Sequence, residues 1–369
     1  MIYLDHNATT PLHPDVRSKM DKFLQYPMNS SSIHSYGRKA LALLENARKS
    51  IANLLGFVDI FRDYQVIFTS SGTEANNLVI SNFINDSDSE VFLSAIEHHS
   101  IYVYKDYANV IKVNKNGILD MSDLESKLKR SKAKKKLVSV MLANNETGII
   151  QPIKKISQLA HNHGAFMHSD SIQAVGKIKV DIQDLNLDFM SVASHKFGGA
   201  IGAAALIKKS DIALKPLILG GGQEKNMRAG TENVPAIIGF GEAASIAQKD
   251  LSSQTNHMKE LRDELERNLR GSDLDVDIVG IDVDRLPNTS LIINKNKNAE
   301  TQLIALDLKG VAVSSGSACS SGKTTSSHVL TAMGYEEGEV DSAIRISLGR
   351  SSTKGDIEKF FAIYKEING

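Results

Sequence analysis

The chain has 369 residues, 41% hydrophobic and 23% charged, which fits a globular protein of about two domains or one large α/β unit. Its 43 Lys and Arg balance 43 Asp and Glu, so no global basic field is available to hold nucleic acid by its phosphates. One cysteine, Cys319, excludes an intramolecular disulfide and a zinc site built from several thiolates.

The first residues, MIYLDHNATT, lack a basic region followed by an apolar core, so no signal peptide is expected. No apolar run approaches the ~18 residues of a membrane span, and a cytoplasmic location is the default expectation. Ile2-Tyr3-Leu4 reads as a short strand running into the polar loop Asp5 to Pro11. Pro14 to Leu24 has the pattern of an amphipathic helix, Asn29 to Tyr36 that of a serine-rich loop, and Gly37 to Leu55 that of a long helix stopped by Gly56.

From Val66 the pattern becomes alternating strand and helix. Val66–Thr69 is a strand, Ser70–Glu74 a turn and Ala75–Phe83 a helix. Val91–Ser94 is a strand ending in Glu97-His98-His99. Strands follow at Val110–Val113 and at Leu137–Leu142, the latter ending in Asn144-Asn145-Glu146. Ile156–His163 is a helix. Ala165–His168 is a strand ending in Asp170, and Phe189–Val192 is a strand leading to Ser194-His195-Lys196. Ala203–Ile207 closes the series. Short apolar strands separated by helices imply a mainly parallel sheet covered on both faces. The basic run Lys127–Lys136 lies between a helix and a strand and reads as a solvated helix end and loop. Gly220-Gly221-Gly222 opens a polar loop to Asn233. Helices are expected at Pro235 to about Lys249 and at Met258–Leu269, with a domain boundary in the polar stretch 250–257. Strands near Val276–Val279 and Leu291–Ile293, a helix at Glu300–Leu308, the loop Ser314–Lys323 and a strand within Val340–Ser347 complete the chain.

In open α/β sheets, ligands bind outside the carboxyl ends of the strands. The residues at those ends are Gly72-Thr73, His98-His99, Asn144-Asn145, Asp170, Gln173 and His195-Lys196. Ser71-Gly72-Thr73 between strand and helix suits a phosphate, since backbone N–H groups and the helix dipole favour an anion there. Alone it is an ordinary glycine turn with an N-cap. Asp170 suits a protonated pyridine nitrogen, and alone would be a helix N-cap. Gln173 suits a ring oxygen. His98 or His99 suits a ring face and proton transfer near neutral pH. Lys196, ending an apolar strand beside a histidine, suits a Schiff base to pyridoxal phosphate (PLP), although most lysines are solvated surface. Each bland reading stands singly; the set at successive strand ends points to PLP. Cys319 lies in a stretch of Ser, Gly and Ala without an apolar stripe. It reads as an exposed, reactive thiol rather than a small buried hydrophobe.

The segments YLDHNATTP, TSSGTEANN, EHH, ANNETG, HSDSIQAVGK, SHK, GGGQEKNMRAGTEN, SSGSACSSG and IRISLGR, in order from residue 3 to residue 350, resemble the motifs of PLP-dependent cysteine desulfurases of the NifS/IscS type. The resemblance implies a fold-type-I α/β enzyme. Its large domain (13–256) would hold a mainly parallel seven-stranded sheet, and its smaller α+β domain (1–12 and 257–369) the cysteine loop. It implies a homodimer that converts L-cysteine to L-alanine, leaving sulfur as a persulfide on Cys319 for an acceptor protein in iron–sulfur cluster assembly or tRNA thiolation.

Carried over by motif, Lys196 would be the Schiff-base lysine and proton shuttle, and His98 would stack on the ring. Asp170 would pair with the pyridinium and Gln173 with the ring oxygen. Gly72, Thr73, Ser194 and His195 would surround the phosphate, with Thr231 supplied by the other subunit. Asn145 and Arg345 would hold the substrate, Arg345 as a fork on its carboxylate. Cys319 would attack the substrate sulfur as a thiolate, and could transiently ligate a nascent cluster; no resident metal is expected. Three departures stand out: Ala193-Ser194 is swapped relative to the family, Phe197-Gly198-Gly199-Ala200 replaces Gly-Pro-Lys-Gly, and Asn29-Ser30-Ser31-Ser32 replaces Asn-Pro. The chain ends at Gly369, short of the tail that some members use to dock a scaffold. The rival expectations are another fold-type-I enzyme, such as an aminotransferase or selenocysteine lyase, and a non-catalytic sulfur-carrier subunit.

Overall fold

The computed structural model describes residues 1–59, 62–295, 297–316 and 326–369. Among the described residues, seven strands form the central sheet, in the order Tyr64–Thr69, Ala204–Lys209, Phe189–Ala193, Ala165–Asp170, Lys135–Ser139, Ser89–Ser94, Asn109–Ile111. All pair in parallel except Ala204–Lys209, which runs antiparallel to both neighbours. This is the mainly parallel α/β architecture expected from the alternating pattern. Successive side chains on a strand face opposite sides, and here both sides are covered. Phe92, Val138 and Met190 join one buried cluster with Ile237 and Phe240, while Val91, Leu93, Leu137 and Phe189 join another with Leu78, Val79 and Phe83.

A second sheet is antiparallel, in the order Ser314–Ser315, Ala343–Ser347, Thr289–Asn294, Val276–Ile278. It packs its Ile292, Ile344 and Ile346 with Leu306, Phe360 and Tyr364 into a separate core. The chain's beginning belongs there: Ile2–Tyr3 pairs in parallel with Val311–Ala312.

The expected helix break at 250–257 is corrected by the structure. Val234–Arg270 is one helix of 37 residues, capped by the Asn233 side chain on the Ala236 N–H and started by Pro235 in its first turn. It spans about 55 Å. Its first half gives Ile237, Ile238, Phe240 and Ala244 to the large core, and its second half gives Leu261, Leu265 and Leu269 to the smaller one. The polar stretch that looked like a linker is the middle of this helix, where neither core needs an apolar face.

Candidate active site

A cavity of about 230 Å³ opens at the carboxyl ends of the central strands, lined among others by Thr73, His98, Asn145, Asp170, Gln173 and Lys196. Each lining residue is placed by a local device. The strand Tyr64–Thr69 turns into the helix Gly72–Ile84, whose N-terminus is capped by the Ser71 hydroxyl on the Glu74 N–H at 3.2 Å. Gly72 is required at this turn, because a Cβ there would lie 2.1 Å from Ile172 Cδ1. The helix therefore presents Gly72 and Thr73 at its positive end to the cavity.

Asn144 folds the turn after Lys135–Ser139. Its Oδ1 accepts the N–H groups of Glu146 and Thr147, both at 2.9 Å, which leaves Asn145 at the cavity wall.

Asp170, buried at the end of its strand, accepts the Ile172 N–H at 3.0 Å and the Asn76 Nδ2–H at 2.7 Å. Asn76 also donates to the Ser100 hydroxyl, which lies 2.8 Å from His98 Nδ1. The Ser100 N–H donates to the same Nδ1 at 3.1 Å, so His98 carries its proton on Nε2. Burial lowers the His98 pKa, against the pull of Asp170. His98 lines the cavity; His99 does not, and its ring lies 6.1 Å from that of His328. Burial, with Lys196 and Lys177 nearby, lowers His195 to about 4, so it is neutral at ordinary pH; its Nδ1 is 3.1 Å from Thr9 Oγ1.

Lys196 Nζ donates to the carbonyls of Asn7 and Ala8, at 2.6 and 2.8 Å. Asn7 is a hub that sequence reasoning missed. Its carbonyl also takes the Gln173 Nε2–H, its Oδ1 takes Lys177 Nζ and Asn288 Nδ2–H, and its own Nδ2–H groups go to Asn145 O and Thr289 Oγ1. The only sequence signal for Asn7 was its place in the early polar loop.

Arg345 is 1% exposed and does not line the cavity itself. It touches the cavity through Asn145, donating to that carbonyl at 3.0 Å, and pairs with Asp5 at 2.7 Å, while its buried Nε–H has no partner among the described residues.

One expected phosphate ligand is placed otherwise. Ser194 lies outside the lining, and its buried, unpartnered hydroxyl sits where a Cβ on Gly199 would meet it at 1.9 Å. The swap of Ala193 and Ser194 explains this, since Ala193 now occupies the lining position. Thr231 is exposed and lies outside this protomer's cavity. Cys319 lies outside the described residues. Asn76, Ser100, Glu74 and Lys177 were also missed; Glu74 binds Arg228 at 2.9 Å and so ties the 220–233 segment to the helix that carries Thr73.

The donor set fits a planar anionic aldehyde cofactor. A helix N-terminus with a hydroxyl, a buried carboxylate, an amide, an imidazole and an amine all meet in one cavity. Among the described residues, no group of three or more His, Cys, Asp or Glu could hold a metal ion.

The family model for aminotransferase class-V matches residues 2–360. The chain is 36% identical to the cysteine desulfurase IscS of Dictyoglomus turgidum, over 99% of this chain and 94% of that protein. Among solved structures, a NifS-like protein from Rickettsia africae is 45% identical with a TM-score of 0.94, covering 100% of this chain and 99% of that one. The structure described as SspA in complex with cysteine is 27% identical with a TM-score of 0.81, covering 96% of this chain and 100% of that one. A shared family accounts for the order of the sheet, the cavity wall and the lysine amine on it together: the chain belongs to the aminotransferase class-V family, among its cysteine desulfurases.

Proposed function

We propose that this protein is a PLP-dependent cysteine desulfurase, converting L-cysteine to L-alanine and leaving sulfur as a persulfide on Cys319. The observation that carries the reading is the cavity in which Lys196, Asp170, Gln173, His98 and Thr73 converge, in a chain whose full-length relatives are named cysteine desulfurase.

When bound, pyridoxal phosphate supplies an aldehyde carbon for amine condensation and a ring that accepts the electron pair left at Cα. The Gly72–Thr73 helix N-terminus with His195 would hold the phosphate. Asp170, oriented by the donors Asn76 and Ile172, would keep a proton on the ring nitrogen. Gln173 would donate to the ring oxygen, and His98 would face the ring. Lys196 Nζ, steered by two carbonyls, serves as nucleophile and then carries a proton to and from the substrate Cα. Arg345 and Asn145 hold the substrate carboxylate. The unpartnered Arg345 Nε–H is a donor in reserve for an anion. The Cys319 thiolate forms a bond to the substrate sulfur as the substrate C–S bond breaks. The electron pair of that bond stays with carbon and ends in a C–H bond of alanine.

The protein works as a homodimer, with Thr231 reaching the partner's phosphate. Support comes from the exposure of Thr231 and of the apolar side chains Leu219, at 81%, and Leu217, at 44%, twelve and fourteen residues before it. Sulfur passes to an acceptor protein for iron–sulfur cluster assembly or tRNA thiolation, in the cytoplasm. No helix among the described residues is long and apolar enough to cross a membrane.

The test is alanine formation from L-cysteine by wild type and Cys319→Ala, with the visible spectrum of each. Release by wild type that collapses in the variant, with the cofactor band intact in both, is the expected result. Full turnover in the variant means that the thiol is not the sulfur acceptor. A band without alanine means that Lys196 is read correctly and the reaction is not.

A further inference from the structure

Lys177 is buried, at 4% exposure; it lies outside the cavity that holds Asp170 and Gln173, and with Lys196 it lines a neighbouring one. Its Nζ lies 2.6 Å from Gln173 Oε1 and 2.9 Å from Asn7 Oδ1. An amide side chain has an oxygen at one terminus and an NH₂ at the other, and the two are interchanged by a half-turn. Electron density seldom tells them apart, so the hydrogen-bond partners must.

Here the partners decide. A lysine amine facing two oxygens gives an N–H to each, and a flipped Gln173 would set its own N–H groups against those of Lys177. With Oε1 fixed on Lys177, Nε2 is turned to Asn7 O at 2.9 Å. An amide NH₂ has two N–H groups, so one remains for a ligand in the cavity that Gln173 lines. We propose that Lys177 is a positioning residue that locks the amide of Gln173, so that an N–H and never a C=O is offered to the cofactor's ring oxygen.

The electrostatics agree with this role. Burial, reinforced by Lys196 and Arg345, pushes the Lys177 amine well below the usual lysine range. The amine gives an N–H to each of its two acceptors, Gln173 Oε1 and Asn7 Oδ1. The same contact steadies Asn7, whose carbonyl receives Lys196 Nζ, so Lys177 supports the resting place of the reacting amine as well.

The proposal rests on the reading of this cavity as the PLP site, and the experiment separates the two. The purified holoenzyme is titrated with pH while the visible band of the bound cofactor is recorded, for wild type, Lys177→Met, Gln173→Leu and the double variant. A hydrogen bond to a charged ring oxygen moves such a midpoint by about one pH unit. Lys177→Met is expected to shift the midpoint in the same direction as Gln173→Leu, and the double variant is expected to shift no further than Gln173→Leu alone. A Lys177→Met midpoint equal to wild type, or shifts that add in the double variant, overturns the proposal. Should Lys177→Met fail to fold, Lys177→Gln decides: it keeps an N–H donor, and a midpoint returned to within a few tenths of a unit of wild type supports the role, whereas the shift of Gln173→Leu overturns it. Wild type without a visible band refutes the cofactor reading itself, an outcome distinct from all of these.

Discussion

The cavity is served by two groups of side chains assembled on different plans. Asp170, Asn76, Ser100 and His98 all come from the central sheet and its covering helices. They form a neutral network in which Asn76 donates both to the Asp170 carboxylate and to Ser100, whose N–H in turn goes to His98 Nδ1. Arg345, Asp5, Asn7, Asn145 and Thr289 come from both ends of the chain and from its middle, and they are organised around a buried guanidinium. The first group is complete within one core. The second exists only when the N-terminal loop lies between the two sheets, as the Asp5–Ser347 bridge and the Asn7 N–H to Ser347 hydroxyl bond show. On the proposed reading, ring chemistry belongs to the rigid sheet, and recognition of the substrate carboxylate to the joint between the cores. In that joint Asp5 already occupies one edge of Arg345, so an incoming carboxylate has to share the guanidinium or displace Asp5.

Substitutions can break this contrast. The largest effect is expected at the residue that both groups serve: Lys196→Ala should lower alanine formation by about 10²–10⁴-fold or more, with loss of the visible cofactor band and little change in thermal unfolding. Next, Arg345→Met leaves Asp5 without its cation and should cost about 3 kcal/mol in denaturant titrations. Arg345→Lys, which cannot form the fork, should fold but lose about 10–100-fold in kcat/KM, mostly through KM.

Glu146 sharpens the contrast through pH. Burial raises its carboxyl from 4.5 to about 7, against the Ser327 hydrogen bond and Arg345. The folded state therefore binds a proton that the unfolded state has released. The stability from this group is fully present below about pH 4.5 and is lost as pH rises through about 7, roughly 3 kcal/mol in all. Glu146→Gln should flatten that decline between pH 5 and 8, as read by urea unfolding at a series of pH values.

The smallest effect belongs to the sheet group. Asn76→Ala removes one N–H from Asp170, which keeps the Ile172 N–H. It should cost about 1 kcal/mol and lower activity by about tenfold, leaving the substrate KM unchanged.

The sheet group was the part readable in advance. Apolar strands announce their own ends, and Asp170, His98, Thr73 and Lys196 sit at those ends, so position alone brought them together. The joint was readable only in part: Asn145 and Arg345 were singled out, while Asn7 and Lys177 lay inside family-like segments with no role attached. A lysine after Val175-Gly176 looks like any solvated surface cation, and only tertiary contact turns it into a buried donor. The break between helices expected at 250–257 failed for a related reason. Polarity between two amphipathic stretches marks a linker when the chain bends there, and marks a strut when the helix runs on. Ser194 shows the limit of carrying a motif across: exchange of two adjacent residues turned the hydroxyl away from the cavity.

The pairing of Ile2–Tyr3 with Val311–Ala312 sets a timetable for the newborn protein. A ribosome adding about 5–20 residues per second needs roughly 15–60 s to travel from the first of these segments to the second. Throughout that interval the loop that will receive Lys196 has no strand beside it, although the large sheet is already emerging. The strand at the chain's beginning is therefore paired last, and a nascent chain stalled before residue 311 has the N-terminal loop held only from the side of the large sheet, through residues 173–198.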